Sequence, residues 1–223
     1  PAKHQAGYAE SPTIVDQPTP ERIERVYGYH ATRRVDAEAI LEHGFRHSAN
    51  REDWLGDGIY FWQDAPRRAW AWLREPRQHR RFGEGTALAV IAVEITLPLD
   101  RCVDLFDSGW ETSLRRAYFE LMVDLARRNL DIDEFERVFR QSEDLERPTP
   151  HQLDRAVVNE LCDRLFSRDG QAILAVRSIF PEGRRIYPES AFRERNHVQI
   201  AVKDVRLIGR IELLPEPERV DRL

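Results

Sequence analysis

The run Thr86 to Leu97, TALAVIAVEITL, constrains the fold of this chain more than any other stretch. It is rich in β-branched residues and almost continuously apolar, so as a strand it has no face to give to water. Such a strand needs partners on both edges and cover on both faces, which places it inside a sheet flanked by helices. The remaining segments are therefore read for what supplies that cover.

Strand patterns lie on both sides of this run. RIERVYGYHAT reads as a short strand ending at His30, and GIYFW as a buried strand. QAILAVRSIF, HVQIAVKDV and LIGRIELL supply three more towards the C-terminus. Helices fall between them. The first has Asp36 as N-cap, Ala37, Ile40 and Leu41 as its apolar face, and Gly44 as the left-handed residue that closes it. The second is capped by Asp64, has Pro66 in its first turn and carries Trp70 and Trp72. Residues 108–167 read as mostly helical, with a last helix opened by a Thr149–Gln152 capping box and Pro150 at its first position.

Strand, helix, helix, strands, helical block, strands is not a regular βα alternation, so the fold class is α+β. No internal repeat is visible. Residues 1–22, rich in Pro and Ala, read as a flexible leader, and 216–223 as a tail. Residues 23–215 read as a single domain with a helical insertion at about 108–167.

Charge and composition remove several function classes. Lys and Arg number 34 against 39 Asp and Glu, a net charge of -5, which argues against a dedicated duplex-binding domain. A local basic patch remains open: Arg67, Arg68, Arg74, Arg77, Arg80 and Arg81 can meet a pyrophosphate, an acidic protein or nucleic acid, or simply form a solvated face. No apolar run reaches membrane-spanning length and no signal-peptide core precedes the domain. Cys102 and Cys162 belong to no CxxC pattern, and Cys162 reads as a free buried thiol. A cytoplasmic protein with no membrane contact is the expectation. The seven histidines are scattered, and Gly44 breaks the helix between His43 and His47, so no metal site is expected. Neither a P-loop nor a nucleophile elbow occurs. Taken alone, Gly56-Asp57-Gly58 is a tight turn before a strand.

The combination says more. YHAT stands at a strand end, a helix closes in Gly44-Phe45, and Tyr60 of GDGIYFW follows His30 by 30 residues. This order resembles the ADP-ribosyltransferase fold family, in the branch of poly(ADP-ribose) polymerases and diphtheria-type toxins. The resemblance implies a split antiparallel or mixed β-sheet core with flanking helices. It implies NAD as substrate, no metal, and transfer of ADP-ribose to a macromolecular acceptor, protein or nucleic acid. A bacterial toxin or antiviral effector is the setting it suggests, with an inhibitor or antitoxin as a partner to expect.

The implied catalytic residues are His30, Tyr60 and Gln199. The implied NAD contacts come from His30, Ala31, Thr32, Gly58, Tyr60, Trp72 and His197. His30 hydrogen-bonds a ribose hydroxyl, and Tyr60 stacks the cationic nicotinamide ring. Trp72 is the candidate second ring, with core packing the alternative for Trp70 and Trp72 alike. Gly56 and Gly58 allow the backbone to pass close to the ligand. Alternation puts His197 and Gln199 on one strand face.

Two departures stand out. Ala31 replaces a usual glycine. Gln199 replaces the usual final glutamate, removing the negative charge that would stabilise an oxocarbenium-like centre. Glu182 and Glu194 of the preceding loop are the candidates to restore it. The alternatives are a non-catalytic NAD- or ADP-ribose-binding module of the same fold and a partner-binding scaffold with no nucleotide site. A third is an RNA 2′-phosphotransferase-like enzyme, whose histidine strand HVQI also resembles, with Arg177, Arg184, Arg193 and Arg195 as its arginine set.

Overall fold

The computed structural model describes residues 22–47, 53–128 and 151–217. They build one seven-stranded mixed sheet with five α-helices among the described residues. The strands are β1 (Ile23–Arg33), β2 (Ile59–Gln63), β3 (Leu88–Pro98), β4 (Cys102–Asp104), β5 (Ala175–Phe180), β6 (His197–Val202) and β7 (Ile208–Leu214). The helices are α1 (Arg34–His43), α2 (Pro66–Leu73), α3 (Pro76–Phe82), α4 (Glu111–Arg127) and α5 (His151–Asp169). Strand order is β4-β5-β6-β2-β1-β3-β7, antiparallel throughout except for the parallel pair β4–β5. This is the α+β class expected from the pattern.

The apolar run becomes β3, paired to β1 along its whole length from Ile23↔Pro98 to Arg33↔Leu88 and to β7 on its other edge. It is an interior strand, one in from the sheet edge. Strand β1 does not stop at His30 but continues three residues to Arg33, because β3 offers it a partner that far. Between β1 and β2 the ladder is short: only Gly28↔Gln63 and Tyr29↔Trp62 pair. The sheet is thus two well-paired halves, β4-β5-β6-β2 and β1-β3-β7, joined at a narrow seam.

Each half has its own cover. Ile59 and Phe61 of β2 point into a core with Val26, Ile91, Ile95, Ile200 and Val202, closed by Ala37 and Ile40 of α1. On the opposite face, α4 and α5 cover one half through Ala117, Val158 and Leu161 on Val103, Val176 and Ala201. Helix α2 covers the other half with Ala69, Trp70 and Leu73. Helices α4 and α5 thus lie on one face of the sheet. Cys102 and Cys162 are free and buried, and burial pushes both thiols up, Cys102 to about 12. No helix among the described residues is long and apolar enough to cross a membrane.

Local details correct several expectations. Asp36 is not the N-cap of α1. That position is Arg33, and Asp36 sits in the first turn, where its charge suits the helix N-terminus and pairs with Arg33. Leu41 is exposed rather than part of the apolar face. Gly44 closes the helix at φ 76°, its N–H donating to Ile40 O. Asp64 does not cap α2 either. With φ 49° it turns its carboxylate back to accept from Tyr27 N at 3.1 Å, pinning the end of β2 to β1, and Ala65 precedes Pro66 instead. The leader, most of the 47–53 loop and the Thr149–Pro150 start of α5 lie outside the described residues.

Candidate active site

The site begins where the seam opens. Continuing the antiparallel register past Tyr29↔Trp62 would pair His30 with Phe61, but the two strands part there. Tyr60 O would be left without a donor. The imidazole of His30 fills the gap, and its Nδ1 lies 2.9 Å from Tyr60 O. A carbonyl only accepts, so Nδ1 carries the proton and donates. Burial lowers the pKa of His30, so the ring stays neutral at neutral pH and Nε2 keeps a lone pair. The rings of Phe45 and Phe61 brace it edge-on at 5.4 and 5.9 Å. His30 is therefore a fixed hydrogen-bond acceptor for a ligand hydroxyl.

A cavity of about 510 Å³ opens at this seam, within the range of small-molecule sites. His30, Ala31 and Thr32 line it from β1, Tyr60 and Trp62 from β2, Trp72 from α2 and Gln199 from β6. Trp62 and Trp72 pack tilted at 5.5 Å, and Tyr60, Phe61 and Phe82 add three more aromatic rings to the lining. Gln78, in the amide orientation that satisfies both groups, accepts from Trp72 Nε1 at 3.2 Å and holds that ring. Trp62 is 9% exposed, and its Nε1–H has no acceptor among the described residues. The nitrogen itself is buried.

The Tyr60 hydroxyl does not face a ligand. It donates to Gly56 O at 2.8 Å and accepts from Leu55 N at 2.7 Å. Burial first, and the charge of Asp53 second, push the phenol far above its ordinary value, so it remains a neutral donor and acceptor. The ring forms the wall while the hydroxyl fixes the turn before β2. Tyr60→Phe is accordingly expected to lower stability by about 1–3 kcal/mol, because the amide of the fully buried Leu55 loses its acceptor. Urea unfolding of the two proteins side by side measures the difference.

Gln199 is held at both ends. Trp54 Nε1 donates to its Oε1 at 2.8 Å, and its Nε2 lies 3.0 Å from His197 Nε2. His197 Nδ1 is 2.7 Å from Arg195 O and must donate there, so His197 Nε2 accepts from the Gln199 amide. Burial lowers the His197 pKa, which keeps this chain of donors intact at neutral pH. The amide orientation is thereby determined, and one Nε2–H remains for a ligand.

Two implied contacts do not reach the cavity. His197 stands behind Gln199, stacked on Phe180 at 5.4 Å, and orients it. Gly58 approaches protein rather than ligand: a Cβ there would lie 3.0 Å from Val202 O of β6. Gly56 takes φ +80°, and a Cβ would fall 2.5 Å from Asn159 Oδ1, so it too is small for the sake of α5. The carboxylate candidates also fail on position. Glu182 pairs with the buried Arg68, and that pairing outweighs burial to hold its pKa low. Glu194 pairs with exposed Arg184 at 3.6 Å. Neither lines the cavity.

Half of the basic stretch is engaged in ion pairs: Arg68 on Glu75 and Glu182, Arg77 on Glu75, Arg74 on Glu216. Only Arg81 of that stretch reaches the cavity. Of the second arginine set, Arg177 lies between Glu24 and Asp104 at 2.8 and 2.7 Å, and none of the four lines the cavity. Six lining residues escaped the sequence reading: Arg33, Asp36, Asp53, Phe61, Trp62 and Phe82. Trp62 was findable, since the period of two puts it on the face of Tyr60. No group of three or more potential metal ligands occurs among the described residues. No known protein family, characterised protein or solved structure matches this chain.

Proposed function

We propose that this chain is an NAD⁺-dependent ADP-ribosyltransferase acting on a macromolecular acceptor. One observation carries the reading: His30, Tyr60, Trp72 and Gln199, taken from four separated segments, meet at one cavity in the seam of a split sheet. The chemistry suits the ligand. The aromatic lining favours a flat cationic nicotinamide. His30 Nε2 accepts a ribose hydroxyl. Arg33, paired with Asp36, and Arg81 bring guanidinium groups to the lining that can meet the pyrophosphate. Nicotinamide leaves, and a nucleophile of the acceptor takes the anomeric carbon.

The test is NAD⁺ binding followed by nicotinamide release. At 100 times its dissociation constant NAD⁺ should stabilise the fold by roughly 2.7 kcal/mol, seen as a rise in Tm. Release should disappear in His30→Ala and Tyr60→Ala. If the wild type neither binds NAD⁺ nor releases nicotinamide with protein or nucleic acid present, the reading fails. A second reading, a binding module without turnover, is favoured by the uncharged Gln199. Binding without release in every acceptor mixture would select it.

A further inference from the structure

We propose that Gln199 is the specificity-determining donor of this site: His197 and Trp54 hold its amide so that it gives an N–H, and not an oxygen, to the ligand. The proposal rests on the transferase reading for the identity of that ligand. It makes glutamine the residue this pocket is built around, rather than a weakened stand-in for glutamate.

The direction of the amide is set from behind, starting at a backbone carbonyl. Arg195 O lies 2.7 Å from His197 Nδ1, and a carbonyl only accepts, so Nδ1 carries the proton. His197 Nε2 is then a bare lone pair, and it faces the Gln199 amide nitrogen at 3.0 Å. On the other side the Trp54 indole, which can only donate, lies 2.8 Å from Gln199 Oε1. Turning the amide over would set oxygen against the His197 lone pair and N–H against the Trp54 N–H, losing both bonds. One N–H goes to His197, and the second belongs to a side chain that lines the cavity. Its complement is an acceptor oxygen.

A carboxylate fits this frame badly. Glutamate at this position would accept from Trp54 equally well, but its other oxygen would meet the His197 lone pair. The clash is relieved when His197 takes up a second proton, and the carboxylate is then held in an ion pair with His197 instead of serving the ligand. The surroundings of the imidazole otherwise favour its neutral form. Its side chain is fully buried, packed against the stacked Phe180 ring at 5.4 Å and the tilted Trp62 ring at 6.4 Å. The charged groups facing it are Arg68 of α2, which opposes protonation, and Glu182 of the loop before β6, 4.0 Å from Nδ1, which favours it. Burial outweighs Glu182, itself paired with Arg68, and holds the pKa low.

The setting is read first without ligand. Histidine nitrogen NMR of the free protein at neutral pH should show His197 protonated at Nδ1 alone; an Nε2–H tautomer or a charged ring overturns the proposal. In Gln199→Glu the same ring should titrate at a higher pH than in wild type. NAD⁺ affinity by calorimetry should fall about tenfold in that variant, the loss of one good hydrogen bond, and nicotinamide release should not rise. Tighter binding or faster release in Gln199→Glu overturns the proposal. In wild type the affinity should fall as pH drops through the lowered His197 value, because a protonated Nε2 no longer accepts. His197→Gln, whose Oε1 can stand in for Nε2, should keep the affinity and abolish that acid decline, whereas His197→Phe, which keeps the ring packing, should lose affinity. Equal affinities in the two, both folded by circular dichroism, overturn the positioning role. Where neither folds, the spectra and Gln199→Glu decide. A wild type that binds no NAD⁺ overturns the transferase reading, and the histidine spectra then decide the donor setting on their own.

Discussion

Arg68→Ala is expected to lower the free energy of unfolding by about 3–5 kcal/mol, the cost of leaving partners of a buried ion pair without their counter-charge. Arg68 is 8% exposed, and its guanidinium reaches Glu75 at 3.3 Å with one nitrogen and Glu182 with the other. Glu75 also holds Arg77 at 2.8 Å and Arg195 at 2.9 Å, so the cluster ties the turn between α2 and α3 to the loop before β6. Without Arg68 the two carboxylates share a poorly hydrated space and only the solvent-side arginines oppose them. Arg74→Ala is the control: its 3.1 Å pair with Glu216 is more than half exposed on both sides, and exposed pairs contribute about 0–1 kcal/mol. Guanidinium chloride would screen both pairs, so urea unfolding is the measurement. The acid dependence carries the same information. Glu182 has a depressed pKa in the fold, so its contribution is present above the ordinary carboxylate value and is lost as pH falls through the folded one. Arg68→Ala should flatten that loss.

What the sequence made legible and what it hid divide along a physical line. β3 and the Gly44 cap follow from local rules, because an apolar β-branched run and a glycine at a helix end have few alternatives. His30, Tyr60 and Gln199 line one cavity because strand alternation decides which face each takes, and helix α2 adds Trp72. Caps went astray at Asp36 because α1 begins two residues before it, with Arg33 as N-cap, and at Asp64 because its carboxylate accepts from Tyr27 N instead. The roles of Gly58, His197 and Glu182 were misplaced because each depends on what lies across the sheet. The close approach of β6 to Gly58, the stacking of His197 under Phe180 and the pairing of Arg68 with Glu182 join residues 17 to 144 positions apart. Asp53 carried no motif, and only the fold of the turn brings it to the cavity.

Phe61→Ala is expected to cost about 3–5 kcal/mol, at the upper end of that range. Phe61 is 1% exposed and fills the seam from beneath, its ring edge-on to Phe45 at 5.2 Å and to His30 at 5.9 Å. The cost depends on whether the surroundings can collapse, and here they are held apart. β2 is locked to β6 from Ile59↔Val202 to Gln63↔Val198, and β1 to β3 along all its residues, so the void stays open. Gly28 tests that argument. A Cβ on Gly28 would fall 2.5 Å from Ile95 Cδ1 and 3.0 Å from Phe61 Cβ and Cγ. Gly28→Ala alone should therefore overpack the seam by about 1–3 kcal/mol. In the Phe61→Ala background the ring is gone, and Ile95 can swing into the space it leaves. The double variant should then lose less than the two single variants added together, by about 0.5–3 kcal/mol of coupling in a urea-based double-mutant cycle. Strict additivity would mean that Gly28 is small for its backbone and not for Phe61, and the seam would then be held open by the ladders alone. In either case His30 loses the ring that braces it while keeping its bond to Tyr60 O, so NAD⁺ affinity should fall in Phe61→Ala even at temperatures where the fold is intact.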